Sequence, residues 1–407
     1  MAGGAGQGSI GQTLRVLRNR NVYPYLIGNM FSSTGTWFQT LAQAILIYRL
    51  THSTFLLGVI GFSQYAAVFV FAPIAGGVAD RFDRRRVLMG SQAFAFAITA
   101  LLTVITATGH ATPAVLIVLA LVLGCSNAFS NPTMMSFVPS LVEEQFLATA
   151  LALNSVTFNI GRAIGPVLAA VIINTLGPTW AFGMNSVSYL ALIAGLLLVR
   201  PLRVTPKPKE RPRLLEAVKL VMHDRRLLFL LYVIAAINLA TDPAITLGPA
   251  FITKVFHHRD SLAGLLVGAF GAGAVLAAFT VAHKLHGSRR VLTAALLCSG
   301  IGIAGFAVSP ILPVALALLV LMGFGYLSAN TAATSRLQLE VADEQRGRVM
   351  ALWSIAFLGV RPIGSLLDGA IASFAGVRIA AFLMALPALA GAAALLFLWP
   401  RMRRNAA

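Results

Sequence analysis

The sequence predicts an all-α membrane protein, with twelve transmembrane helices arranged as two pseudo-symmetric six-helix bundles. Three observations predict it. Of 407 residues, 58% are apolar and only 11% carry charge, a composition too poor in charged surface for water and suited to lipid. Apolar runs such as 87–107 and 181–199 reach the ~20 residues that span a hydrocarbon core. The second half of the chain also repeats the first in register.

Taken in order, spans are expected at 22–48, 54–79, 87–107, 113–138, 146–175 and 180–199, then at 227–254, 261–282, 291–308, 311–335, 347–374 and 377–399. Residues 1–199 form the N-terminal bundle, 200–226 a cytoplasmic linker and 227–407 the C-terminal bundle. The linker is rich in proline, lysine and arginine, and a short amphipathic surface helix is expected within it at 214–222. The first twenty residues lack the apolar core and small-residue cleavage site of a secretory leader, so the first span is expected to be retained.

The net charge of +18 would suit nucleic acid, but its distribution has another cause. Of 31 basic residues, all but six fall in the termini, the linker and the loops that twelve spans place on one side. Arg49, Lys254, Arg259 and Arg378 fall on the other side, and Arg162 and Arg361 lie inside spans. Basic loops stay in the cytoplasm. The bias therefore predicts a bacterial inner (plasma) membrane protein with both termini cytoplasmic, anionic lipid contact being secondary. Cys125 and Cys298 lie in apolar spans and indicate no disulfide framework. Trp180, Trp399, Tyr23 and Tyr25 sit at span ends and read as interfacial anchors.

The repeat has an offset of 199 residues: Gly124 matches Gly323, Asn131 matches Asn330, Ser136 matches Ser335, Arg162 matches Arg361 and Gly165 matches Gly364. Chance matching explains aliphatic pairs far better than it explains paired Arg, Asn and Gly. A shorter echo sets Arg85–Leu88 against Arg289–Leu292. Two six-span repeats in one orientation imply a pseudo-two-fold axis along the membrane normal, with a site between the halves.

After the second span the chain reads Gly76, Gly77, Val78, Ala79, Asp80, Arg81, Phe82, Asp83, Arg84, Arg85, Arg86. The glycines permit close helix approach, Asp80 suits a helix N-terminus, and Arg84, Arg85 and Arg86 suit acids or lipid headgroups. The segment resembles the signature loop of the major facilitator superfamily, with Asp83 in place of the second glycine. The resemblance implies an inner gate latched to the eleventh span; the plainer reading of the arginines is topological. In the fifth span, Gly161, Arg162, Gly165 and Pro166 are similar to the motif of the superfamily's drug exporters, with Ala169 and Ala170 replacing its last glycines. Gly161 and Gly165 form a flat packing face and Pro166 bends the helix; the resemblance implies export. The run 51–54 before Leu57 and Gly58, and the run 343–349, resemble the drug- and siderophore-exporter branch that holds enterobactin exporters and macrolide efflux proteins. The arginine that proton-coupled drug exporters carry in their fourth span is absent from 115–126.

Ionisable groups at bilayer depth cost at least ~2.5–3.5 kcal/mol, so they face protein or a water-filled cavity. Asp242, Arg162 and Arg361 fall near the midplane, with Asp368 two turns beyond Arg361. Asp242, Arg361 and Asp368 are the candidates for proton coupling; a static Asp–Arg pair, or a cap beside Pro243, is the alternative for Asp242. Arg162 and Arg361 suit either an anionic substrate group or interhelical bonding to carbonyls. Asn29, Gln39, Gln43, Asn127, Asn131, Asn238 and Asn330, with the aromatics Trp37, Phe38, Phe129, Tyr326 and Trp353, are candidates to line a cavity, packing being the competing role of each.

His283 and His286 lack accompanying carboxylates or thiols, so no metal site is expected, and no cofactor. The sequence carries no phosphate-binding loop and no nucleophile with a base, so neither enzymatic chemistry nor ATP-driven transport is predicted. The resemblance implies a monomeric secondary transporter, embedded in lipid and binding no nucleic acid. It would export an amphipathic drug, siderophore or metabolite by alternating access, with proton antiport. A lipid or lysolipid flippase, or an importer, is the alternative within the fold; a non-transporting receptor or membrane enzyme is the alternative outside it.

Overall fold

Polar caps punctuate the chain where its apolar runs begin. Ser53 accepts from Leu56 N at 3.3 Å, Asp83 from Arg86 N at 2.9 Å, Thr112 from Val115 N at 3.3 Å and Asp224 from Arg226 N at 2.8 Å. Each satisfies an amide that the first helical turn leaves without a carbonyl. Prolines occupy the first turn of five helices, where the missing N–H breaks no bond.

The computed structural model describes residues 10–202, 214–280, 289–341 and 343–397. The first half comprises α1 (Ile10–Arg18), α2 (Tyr23–Thr51), α3 (Thr54–Arg81), α4 (Arg84–Ala107), α5 (Pro113–Phe137), α6 (Leu147–Thr175) and α7 (Pro178–Leu198). The linker contributes α8 (Leu214–His223), the expected short helix; the rest of its basic run lies outside the described residues. The second half comprises α9 (Arg225–Thr246), α10 (Gly248–Lys254), α11 (Ala263–Thr280), α12 (Arg289–Val308), α13 (Leu312–Glu340), α14 (Asp343–Ser354), α15 (Val360–Ala375) and α16 (Val377–Phe397). No strand occurs among the described residues.

Ten of these helical segments have the length and apolarity to cross a membrane. α2 and α3, at 29 and 28 residues, complete twelve; at ~1.5 Å per residue each exceeds a ~30 Å hydrocarbon core. α2 interrupts its apolar run with Asn29, Ser32, Gln39 and Gln43, all buried. Two spans are broken. The seventh, expected to be continuous over 227–254, splits at Leu247 into α9 and α10, following Pro243. The eleventh passes through a π-helical turn at Ile355–Gly359 between α14 and α15; such turns shift helical register and occur often at functional sites.

The helix pairings repeat between halves. In the first, α2 packs on α6 and α7, α3 on α5, and α4 on α5 and α7. In the second, α9 packs on α15 and α16, α11 on α13, and α12 on α13 and α16. The repeat offset extends to Gly177 and Gly376, whose φ values of 91° and 93° turn the fifth span of each half into the sixth. Only glycine tolerates that conformation comfortably. Large apolar side chains such as Val187, Leu197, Phe279 and Phe374 are exposed, as expected of a lipid-facing surface. Tyr23 and Trp180 are exposed at helix ends. Tyr25 is not the anchor its position suggested: it is fully buried, edge-on to Phe137 with ring centres 5.5 Å apart. Trp399 lies outside the described residues.

Two seams of small residues join the halves, α3 against α15 and α6 against α11. A Cβ at Gly58 would lie 2.8 Å from Gly369 Cα, and one at Gly61 would lie 2.9 Å from Ser365 Cβ. On the other seam, a Cβ at Gly264 would overlap the Pro166 carbonyl, and one at Gly271 would lie 2.5 Å from Ala163 Cα. Both seams lie toward the end where α2 gives way to α3 and α6 to α7. Toward the end carrying α1 and α8, no comparable seam joins α3 to α14 or α5 to α13 among the described residues. These contacts seal the first of the two ends.

Candidate functional site

Packing within the first half carries Arg162 to the junction. Gly161 and Gly165 set α6 directly on α2: a Cβ at Gly161 would lie 3.1 Å from Ser33 Cβ, and one at Gly165 2.8 Å from Trp37 Cβ. Arg162, 3% exposed, is thereby held among aromatic rings. Its guanidinium carbon lies 5.4 Å from the centre of Trp37, 4.4 Å from Phe270 and 5.0 Å from Tyr326. Cation–π attraction is strongest in such a desolvated setting. Nε and Nη2 have no hydrogen-bond partner. The Tyr326 hydroxyl is beside the guanidinium but gives its proton to Asn238 Oδ1 at 3.3 Å.

Arg361, the repeat counterpart, crosses the opposite way. From α15 in the second half its Nη1 donates to the hydroxyl of Tyr65, on α3 of the first half, at 3.0 Å. Thus the arginine of each fifth span reaches an aromatic ring on the second span of the other half. Among the described residues neither is bonded to the interhelical carbonyls that the sequence left as an alternative.

Asp242 is also buried, on the last turns of α9. Its Oδ2 accepts from Thr246 Oγ1 at 3.3 Å, and that hydroxyl also meets Ser365 Oγ at 3.3 Å. The Asp–Arg pair left open as the alternative is not direct: no ion pair joins Asp242 to Arg361 among the described residues, although both line one cleft. Thr40, Gln64, Tyr65 and Thr246 complete its polar lining. Gln64 donates to Gln43 Oε1 at 3.0 Å. Asp368 is fully buried beside Asp242, and neither of its oxygens meets a donor. Two adjacent carboxylates repel unless a proton or a cation lies between them. The site therefore gathers Arg361, Asp242 and Asp368 on one side and Arg162 on the other, with Thr40 and Ile245 lining both the Asp242 cleft and a second cleft beside Trp37 and Pro166.

The remaining polar candidates sit in different settings. Asn29 donates to Asn154 Oδ1 at 3.0 Å, joining α2 to α6. Gln39 Oε1 accepts from Thr99 at 3.0 Å and from Asn185 at 2.6 Å, joining α2 to α4 and α7. Asn238 also donates to the Ile234 carbonyl at 2.8 Å. Asn127 is half-buried and Asn131 exposed, while Asn330 Oδ1 is buried without a partner. Phe38 is buried, Phe129 packs near Phe71, and Trp353 stacks on Phe357 with its Nε1 donating to Thr334 Oγ1 at 2.9 Å.

The signature segment is more helical than the sequence implied, since α3 continues to Arg81 and leaves only Phe82 and Asp83 as a turn. The surroundings of Gly76 and Gly77 and the side chains of Asp80 and Arg81 lie outside what the structure describes. Asp83, the departure from the motif, is the N-cap of α4. Arg84 and Arg85 both reach backbone carbonyls. Arg84 donates to Ser136 O at 3.0 Å, and Arg85 to Leu196 O at 2.6 Å and Leu197 O at 2.8 Å. Arg289, the echo of Arg85, donates to Leu396 O at 3.0 Å. Both arginines thus satisfy carbonyls that the end of a sixth span leaves open. The side chain of Arg86 is exposed. His283 and His286 lie outside the described residues.

Sequence reasoning missed the groups that close the sealed end. Arg49 clasps Asp260 across the halves, Nε to Oδ2 and Nη2 to Oδ1, both at 2.7 Å. Thr253 donates to the Tyr48 hydroxyl at 3.2 Å, and Ser261 to Asn174 Oδ1 at 3.4 Å. The spacing of Gly264, Gly268 and Gly271 was a usable signal for the seam; Tyr65 and Phe270 carried none that separates them from packing aromatics.

Solved structures share this architecture. The bacterial homologue of the human lysosomal transporter Spinster, inward-facing and unoccupied, superposes with a TM-score of 0.72 at 15% identity, covering 95% of this chain and 97% of that one. The nucleoside transporter NupG gives 0.72 at 14% identity, covering 96% and 99%. Among curated proteins, the staphyloferrin A transporter of Staphylococcus aureus is 25% identical over 354 residues, 84% of this chain and 87% of the relative. The enterobactin exporter EntS of Citrobacter koseri is 26% identical over 345 residues, 81% and 80%. The family model described as transmembrane secretion effector matches residues 13–406. The chain is a multi-pass membrane transporter of the major facilitator superfamily and belongs to its transmembrane secretion effector family.

Proposed function

We propose that the protein exports an amphipathic small molecule by alternating access, in exchange for protons, from a cytoplasm that holds both its termini. The observation that carries this reading is the burial of Arg162, Arg361, Asp242 and Asp368 at the junction of the halves, where each arginine reaches from one half to an aromatic ring of the other. With the basic loops cytoplasmic, the sealed end faces away from the cytoplasm. Export is supported by the naming of EntS as an exporter and by the Gly161–Pro166 motif.

In this reading, rocking the halves apart at the sealed end breaks the Arg49–Asp260 clasp and moves Tyr65 relative to Arg361. Asp242 and Asp368 then exchange the proton that two neighbouring carboxylates require. A protein acting alone suffices, since both crossing arginines lie within one chain.

Everted vesicles with an acidic lumen test the proposal, using a panel of radiolabelled amphipathic solutes, cationic, neutral and carboxylate-bearing. The expected result is accumulation of at least one solute, abolished by collapsing the pH gradient and reduced at least tenfold by Asp242→Asn. Accumulation indifferent to both would sink the coupling. Scrambling of a labelled lysolipid, with no solute accumulated, would instead assign a lipid flippase.

A further inference from the structure

Arg162 is a buried cation with no acid among its contacts in the described residues. Three ring faces surround it, and the charged group that acts on it is another cation, Arg361. A desolvated charge without a counter-charge is costly, and rings offset only part of that cost. Of the acids in the junction, Asp242 accepts from Thr246, and Asp368 lies buried beside it.

The two nitrogens without partners are informative. Nε and Nη2 form the side-on edge of a guanidinium. Arg49 uses this same pair of atoms to hold both oxygens of Asp260 at 2.7 Å. Arg162 presents that edge unfilled. Two parallel N–H groups on a rigid plane match the two oxygens of a carboxylate. Trp37, which stacks on the guanidinium, also lines the cleft formed with Thr40, Leu41, Pro166, Ile245 and Val267. Trp37 thus joins the buried guanidinium to a neighbouring cleft walled mainly by apolar side chains.

Resting on the reading of the chain as a small-molecule exporter, we infer that Arg162 seats a carboxylate of the substrate, whose attached body is apolar or aromatic and packs along Trp37. The carboxylate supplies the counter-charge that the protein withholds, and the rings select a flat, apolar neighbour to it. Arg162 is then the residue that separates acids from their neutral analogues.

The test is equilibrium binding of tritiated 1-naphthoate to the full chain in nanodiscs, without any ion gradient, with unlabelled competitors. The expected result is displacement by 1-naphthoate at concentrations at least tenfold below those required of its methyl ester or of 1-naphthylmethylamine. Arg162→Gln should weaken 1-naphthoate binding at least tenfold, and Arg162→Lys should not restore it, since an ammonium lacks the two-pronged edge. The competitor series needs no variant and so stands even if Arg162→Gln fails to fold. Equal competition by acid and ester, unchanged binding in a folded Arg162→Gln protein, or no naphthoate binding up to millimolar concentration would overturn the inference. Binding that survives Asp242→Asn while gradient-driven accumulation is lost separates this site from proton coupling.

Discussion

The Arg361 guanidinium ends 3.0 Å from the hydroxyl of Tyr65, in a bond that leaves one half of the molecule and closes on the other. Its repeat partner Arg162 meets Phe270 at 4.4 Å in the reverse direction. The two contacts form a crossed pair across the pseudo-two-fold axis, and neither survives a separation of the halves at that level.

Tyr65→Phe removes the acceptor and leaves the ring. A hydrogen bond to a charged group contributes ~1.5–3 kcal/mol, so its loss should shift the balance between the two access states about tenfold or more. The expected outcome is a fall in transport rate of that order with an unchanged thermal unfolding midpoint. Equal loss of rate and stability would make the bond a fold-holding contact only.

Gly264→Val addresses the seam between α6 and α11. The added Cβ would meet the Pro166 carbonyl and come within 2.7 Å of Ala170 Cβ, and overpacking of this kind costs ~1–3 kcal/mol. That cost falls on the sealed state alone. A Thr40→Cys reporter in the cleft should become more reactive toward a membrane-impermeant maleimide added at the sealed end. Unchanged labelling would show that the seam does not hold that end closed.

Arg85→Ala and Arg289→Ala separate the two readings of the basic signature. Arg85 makes two bonds to the last carbonyls of α7, and Arg289 makes one to those of α16. Arg85→Ala should cost ~1–3 kcal/mol of stability and Arg289→Ala less, read as a larger and a smaller drop in the unfolding midpoint in detergent. Transport per folded molecule should hold steady in both. A stable but inactive Arg85→Ala protein would favour a gate.

Much of this architecture was legible because charge and glycine are rare in apolar runs, so their recurrence is informative. Arg162 and Arg361 stood out in register, and the Gly161–Gly165 face packs on α2 as its spacing implied. The glycines at 264, 268 and 271 carried the same spacing, but their partners Ala163, Pro166 and Ala170 lie on a helix about a hundred residues away. No local pattern names a partner across that gap. Tyr25 was misjudged for a similar reason, since Phe137 on α5 covers it. Position at a helix end does not decide exposure when another helix ends beside it. The Arg49–Asp260 clasp joins a residue whose sequence signal was only topological to one the sequence did not single out.

The central claim is that the sealed end must open for the protein to work. Val167 and Gly268 face each other across the α6–α11 seam. A Cβ built at Gly268 lies 3.8 Å from Val167 Cβ, near the ~3.8 Å mean of disulfides. Val167→Cys with Gly268→Cys, in a Cys125→Ser, Cys298→Ser background, should cross-link on oxidation. The account predicts that the cross-linked protein in everted vesicles loses accumulation of every solute the reduced protein takes up, and regains it with reductant; full accumulation by the cross-linked protein would contradict it.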